Sequence, residues 1–166
     1  MALDTYDLVA WTNLATDEDE SNDSIAVTIT HMLPISGTGA NYIYSNVPGG
    51  EPWFTVSNDE HMDDVFGAGE WTTDYYETVD PAALFSVDNC FIYMEGSDGH
   101  AEELESFLNT NMLLVENWVS AGGHLFINAA PNEGDGMNLG FGGTTLGYPW
   151  YSSDVTASDP LHPIWD

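Results

Sequence analysis

The chain has 166 residues, 43% of them hydrophobic and 13% aromatic, which provides for a packed core and argues against global disorder. It carries 28 acidic side chains with no lysine and no arginine, a formal net charge of −28. Such a chain cannot neutralise phosphates, so nucleic acid and anionic membrane surfaces are excluded as partners.

The single cysteine, Cys90, rules out an internal disulfide and a cysteine-rich zinc site. No run of about 18 apolar residues offers a transmembrane helix, and Met1-Ala2-Leu3-Asp4 lacks the basic and apolar regions of a signal peptide. Internal ion pairs are confined to the five histidines and the chain amine. A halophilic origin, or a chain made or selected to lack Lys and Arg, would each account for the missing bases. Either way, self-repulsion must be relieved by salt, bound cations or low pH.

In chain order, residues 6–12 (YDLVAWT) and 25–31 (IAVTITH) are rich in Val, Ile, Thr and aromatics and predict a β-hairpin with a long acidic tip. Residues 41–47 (NYIYSNV) read as a strand closed by Pro48-Gly49-Gly50. Asp59 to Phe66 predicts a short acidic helix ended by Gly67-Ala68-Gly69, and 71–79 returns to a β-prone composition.

The strongest unit spans 88–131. The apolar run Cys90-Phe91-Ile92-Tyr93-Met94 predicts a strand covered on both faces, with Cys90 a buried thiol. Gly96-Ser97-Asp98-Gly99 supplies a turn, with Ser97 or Asp98 expected to cap the helix that follows. Leu104, Phe107, Leu108, Leu114, Val115 and Trp118 keep helical spacing, with a break expected at Asn109-Thr110-Asn111 and a stop at Gly122-Gly123. Leu125-Phe126-Ile127 then predicts a second buried strand, completing a right-handed β-α-β crossover with a parallel pair. Beyond Pro131 glycine-rich loop and short strand are expected, and 152–166 reads as extended and Pro-rich.

Candidate chemistry is sparse. Ser97 is the best-placed nucleophile, on a strand-to-helix turn with His100 or His162 as base, but Glu95 stands where a Gly-x-Ser-x-Gly elbow needs its first glycine. Cys90 lies early in a strand, where burial raises a thiol pKa and works against catalysis. The histidines show no HExxH or paired-ligand spacing. Hard oxygen ligands suited to calcium occur at Asp17, Asp19, Asp23, Asp59, Asp63, Glu133 and Asp135, although solvated acidic loops produce the same pattern. Trp53, Trp71, Tyr75, Tyr76, Tyr148, Trp150 and Tyr151 could form a glycan-stacking platform, although core packing is the commoner fate of such residues.

Two stretches carry a family likeness. Residues 6–29, with Asn13-Leu14, Asp17-Glu18-Asp19 and Ser21-Asn22-Asp23, resemble the last strands of immunoglobulin-like adhesion modules in secreted bacterial proteins. Residues 84–143, with LFSVDNCFIYMEGSDGHAEELESFL, ENWVSAGGHLFINAAPNEG and GFGGTTL, resemble a domain of secreted Bacteroidota proteins. That domain is distantly similar to class I glutamine amidotransferase-like and trehalose-utilisation-like folds.

The resemblance implies an α/β fold, a flavodoxin-like (amidotransferase-like) parallel sheet with flanking helices. An immunoglobulin-like hairpin remnant at 1–31 would precede the α/β domain at 32–166, whose closing strands would follow the HPI motif at 162–164. The two-module layout and the lack of a complete catalytic constellation point to a non-catalytic structural, adhesive or filament-forming module, secreted or on the cell surface, and the acidic clusters point to calcium stabilisation. Its partners would be neighbouring domains or identical subunits, and glycans. A serine hydrolase on the same core is the alternative from another class.

Overall fold

The computed structural model describes residues 3–12, 24–47, 50–97, 99–131, 136–140 and 144–147. Two antiparallel strands, β1 (Leu3–Trp11) and β2 (Ser24–Met32), form the expected hairpin, paired from Leu3↔Met32 to Trp11↔Ser24. This register places Tyr6, Leu8 and Ala10 on one face beside Ile29, Val27 and Ile25. Asp7 lies on the other, where it accepts a 2.7 Å hydrogen bond from the Thr28 hydroxyl.

The α/β part contains β3 (Gly39–Tyr44), α1 (Ser57–Phe66), β4 (Thr72–Tyr75), α2 (Pro81–Leu84), β5 (Asn89–Gly96), α3 (Ala101–Ser120) and β6 (His124–Ala129). Its four strands are all parallel, in the order β4-β3-β5-β6. Helix α3 bridges neighbouring parallel strands β5 and β6, as the apolar runs at 90–94 and 125–127 predict. A second small hairpin joins β7 (Gly136–Asn138) to β8 (Thr145–Gly147). Among the described residues no helix is long and apolar enough to cross a membrane.

Period-2 alternation divides the core between the two faces of the sheet. On one face Ile43, Ile92 and Met94 pack against Leu104, Phe107, Leu108, Val115 and Trp118 of α3. On the other, Ala40, Tyr42, Tyr44 and Tyr93 pack beneath Met62 and Phe66 of α1. Burying each large α3 side chain stabilises the fold by about 1.5–3 kcal/mol, so this interface outweighs any local propensity in the helix.

The expected break in α3 does not occur, for that reason. The amides of Asn109 and Asn111 instead donate back to Glu105 O (2.8 Å) and Phe107 O (2.9 Å), and the helix runs unbroken. It ends in a Schellman closure: Gly122, at φ 105°, bonds Val119 O, and Gly123 N bonds Trp118 O at 3.0 Å. A Cβ on Gly123 would lie 2.3 Å from the Trp118 ring, so only glycine fits there.

Three further expectations are corrected. The N-cap position of α3 is His100, without a capping side-chain bond of its own, because the Ser97 hydroxyl is engaged by Glu95; Asp98 lies outside the described residues. Strand β6 is buried on one side only: Leu125 and Ile127 face α3, while Phe126 is 53% exposed beside Tyr93, since α1 covers β3 and β5. Cys90 is half-buried in β5 rather than enclosed. The four-residue helix α2 was not anticipated, although Asp80 capping Ala82 N at 3.0 Å, with Pro81 at the first helical position, is a legible start signal.

Candidate functional site

The chain passes from β3 outward to β4, then returns to the other side of β3 to form β5 and β6. Strand order therefore reverses between β3 and β5, and in open parallel sheets the crevice outside the carboxyl ends at such a point is where ligands bind. Ser45 follows β3 here, and Glu95, Gly96 and Ser97 close β5.

Glu95 is the centre of the site. Its side chain shares a sheet face with Tyr93 and lies opposite Asn128 in the β5–β6 register. It is 0% exposed in a chain with no lysine or arginine, so neutral donors must satisfy it. Four do. Oε1 accepts from Ser97 N (2.8 Å) and from the Ser97 hydroxyl, while Oε2 accepts from Tyr93 Oη (2.9 Å) and Asn128 Nδ2 (2.8 Å). Next to it, a Cβ on Gly96 would meet Leu104 Cδ2 at 2.1 Å, so the close approach of β5 to α3 requires glycine.

The 3-10 turn at Pro52–Phe54 brings Trp53 to this end of the sheet, where its Nε1 donates to Ser97 Oγ at 3.1 Å. Trp53 sits at φ 62°, ψ 14°, a left-handed conformation costing a non-glycine residue about 1–2 kcal/mol, and its side chain is 63% exposed. Just before it, Glu51 faces Asp59 of α1. Burial raises the Glu51 pKa to about 7, helped by the carboxyl contact with Asp59 and by the charges of Asp59 and Glu95. Both Glu51 side-chain oxygens and Asp59 Oδ1 are buried without a donor. Burial likewise pushes the hydroxyls of Tyr42, Tyr44 and Tyr93 upward, with nearby carboxylates adding to the shift.

At the same end of the sheet, His100 is 2% exposed, and its Nδ1 accepts from Ser45 N at 3.2 Å, which leaves the ring proton of the neutral form on Nε2. The Ser45 hydroxyl donates to Glu77, whose other oxygen accepts from Asn46 N at 3.0 Å. Burial opposes ionisation of Glu77, but the hydrogen bonds from Asn46 N, the Ser45 hydroxyl and its own backbone, with His100 nearby, together hold the carboxyl below its ordinary range.

Ser97 and His100, both singled out from sequence, thus come to the same end of the sheet. Their side chains serve different partners: Ser97 gives its hydrogen to Glu95 and accepts from Trp53, while His100 is tied to Ser45. His162 lies outside the described residues. Of the acids considered for calcium, Asp59 faces Glu51, and Asp63 Oδ1 accepts from Trp71 Nε1 at 2.7 Å. Asp17, Asp19, Asp23, Glu133 and Asp135 lie outside the described residues, as do Tyr148, Trp150 and Tyr151. Among the described residues no group of three or more His, Cys, Asp or Glu side chains is arranged to hold a metal ion. Of the proposed platform aromatics Trp53 is exposed, Trp71 and Tyr75 are half-buried, and Tyr76 is in the core.

Sequence reasoning missed Glu95, Asn128, Glu51, Ser45 and Glu77. A signal existed for Glu95, because a carboxylate ending an apolar run in a strand covered on both faces is seldom left unpaired. Comparison with known proteins finds no family model that matches the chain, and no curated protein or solved structure that matches it significantly.

Proposed function

We propose that the chain is a non-catalytic structural or adhesive module of a secreted or cell-surface protein, in which a flavodoxin-like, amidotransferase-type core carries an immunoglobulin-like hairpin that packs against a neighbouring domain or an identical subunit. The observation that carries this reading is the hairpin's exposed apolar surface. Tyr6, Leu8, Ile25, Val27 and Ile29 line a single face and remain exposed, Leu8 at 54% and Ile25 at 62%. On the opposite face Val9 and Trp11 are exposed too, at 55% and 72%. A two-stranded hairpin is marginally stable alone in water, and exposed apolar surface of this kind favours packing against another element. The strand order β4-β3-β5-β6 fits the first four strands of a flavodoxin-like sheet and supports the choice of core.

Sedimentation at about 1 M NaCl, where the Debye length is about 3 Å and repulsion between copies is screened, tests the assembly. Association that strengthens with protein concentration and is abolished by Leu8→Glu is expected. A monomer whose hairpin amides exchange as slowly as those of β5 would refute it, because that hairpin would need no cover. Calcium stabilisation belongs to the same reading: millimolar calcium should raise the melting temperature beyond sodium chloride of matched ionic strength. An equal response to both salts would reduce the effect to screening.

A serine hydrolase is the second reading, favoured by one observation: Ser97, Glu95 and His100 converge where strand order reverses. Covalent labelling by an organophosphorus serine probe, lost in Ser97→Ala, would establish it over the first. Absence of labelling is the outcome expected here, since the Ser97 hydroxyl is committed to a carboxylate rather than to an imidazole base.

A further inference from the structure

A cavity of about 360 Å³ opens between the segment following β4 and the first half of α3. This is within the size range of small-molecule sites. Tyr76 and Phe107, whose ring centroids lie 5.1 Å apart, line it together with Glu77 and Glu103. Ser106 and Thr110 stand at the exposed rim.

The two carboxylates differ in their state of satisfaction. Glu77 is held by the Ser45 hydroxyl and Asn46 N–H. Glu103 Oε2, by contrast, is buried without any hydrogen-bond partner. A buried carboxylate oxygen without a donor is costly, and proteins ordinarily match it with lysine or arginine. This chain has neither, and its most deeply buried described histidine, His100, is already bonded to Ser45. The described residues offer Glu103 Oε2 no donor, which leaves a place for a cation from another molecule. The aromatic lining residues favour an organic cation, since aromatic rings attract such cations and accommodate an aliphatic stem, which a hydrated metal ion lacks.

We propose that this cavity binds an organic cation, a primary ammonium or a guanidinium, with the charged head at Glu103 and Glu77 and the stem against Tyr76 and Phe107. The same chemistry arrives either as a free amine or as a lysine or arginine side chain of a partner protein. The inference stands independently of the hairpin.

The test titrates the intact protein, at fixed ionic strength, with n-butylamine, agmatine, neutral n-butanol and a blocked tripeptide containing one arginine, read by calorimetry. Because a polyanion attracts any cation, the control is an equal charge change elsewhere on the same helix. Glu103→Gln should weaken amine binding about tenfold or more, while Glu116→Gln, on the exposed face of α3, should change it by about twofold at most. Thr110→Trp, which blocks the rim without altering charge, should also abolish binding. Tighter binding of the peptide than of the free amines, with the same dependence on Glu103, assigns the site to a partner's basic side chain; binding of the amines alone assigns it to a small molecule. Equal weakening by Glu103→Gln and Glu116→Gln, binding of butanol as strong as that of butylamine, or no binding of any cation overturns the proposal.

Discussion

Replacing Glu95 by glutamine is the sharpest test of how the crevice is held together. Four hydrogen bonds converge on this carboxylate, two at each oxygen. Glutamine retains one acceptor, which can keep the pair from Ser97, but its amide nitrogen then faces the Tyr93 hydroxyl and the Asn128 amide. The hydroxyl can rotate to accept, and Asn128, exposed on β6, can flip to present its oxygen. All four bonds survive in weaker form. Bonds to a charged group are worth about 1.5–3 kcal/mol and neutral ones about 0.5–1.5, a gross loss on the order of 4 kcal/mol. Relief from burying a charge returns part of this, leaving a destabilisation of about 2 kcal/mol. For a domain of this size that lowers the melting temperature by about 4–8 °C. Urea unfolding followed by tryptophan fluorescence measures the loss, with Glu95→Ala as the more severe comparison at about 3–5 kcal/mol. A Glu95→Gln variant as stable as the parent, or more so, would show that the carboxylate is a stability cost kept for some other purpose and would refute this account of the network.

Other substitutions probe the scaffold. Trp118→Ala removes a fully buried indole that donates to Ser86 O and Asn89 O and packs edge-on against Phe85, and it should cost about 3–5 kcal/mol in the same urea assay. Gly96→Ala places a methyl 2.1 Å from Leu104 Cδ2, so a loss of about 1–3 kcal/mol is expected, relieved in part by Leu104→Ala in a double-mutant cycle. For Glu51, a folded-state pKa raised from 4.5 to about 7 means that the folded chain holds the proton more tightly than the unfolded one. Its contribution is complete below about pH 4.5 and is lost as pH rises to about 7. Glu51→Gln should flatten that part of the stability profile, and an unchanged slope would remove Glu51 from the explanation.

The parts of the fold that could be read from sequence are those fixed by local pattern. The β-branched and aromatic content of 6–12 and 25–31 points to the hairpin, the apolar run at 90–94 to β5, and the spacing from Leu104 to Trp118 to α3. Failures occurred where long-range contacts decide the outcome. Asn109 and Asn111 argue for a break by propensity, but Phe107, Leu108 and Val115 are buried on either side of them and hold the helix intact. Ser97 looks like a cap from its neighbours, yet its hydroxyl is claimed by Glu95 and Trp53, the latter 44 positions away. The crevice was illegible for the same reason, because Ser45, Glu95 and Asn128 come together only once strand order is known. No periodicity encodes that order.

The absence of Lys and Arg also changes how charge acts on this fold. In an ordinary protein salt screens attraction and repulsion together, so the net response can take either sign. Here the carboxylates with visible partners are served by neutral donors. Glu95 is held by Tyr93, Ser97 and Asn128, Asp63 by the Trp71 indole, Asp80 by Ala82 N and Asp7 by Thr28. The C-terminus of α3 has no basic residue in its last turn and is closed by backbone bonds at Gly122 and Gly123. Such short-range bonds are little affected by ionic strength, whereas the mutual repulsion within a net charge of −28 is strongly screened. Sodium chloride should therefore act in one direction only. The urea midpoint is expected to rise steadily with salt and to level off near 1 M, where the Debye length of about 3 Å is shorter than the spacing of most surface carboxylates. A fall in the midpoint over any part of that range would mean that an attractive ionic contact, through a histidine or the chain amine, contributes more to the fold than the neutral-donor network does.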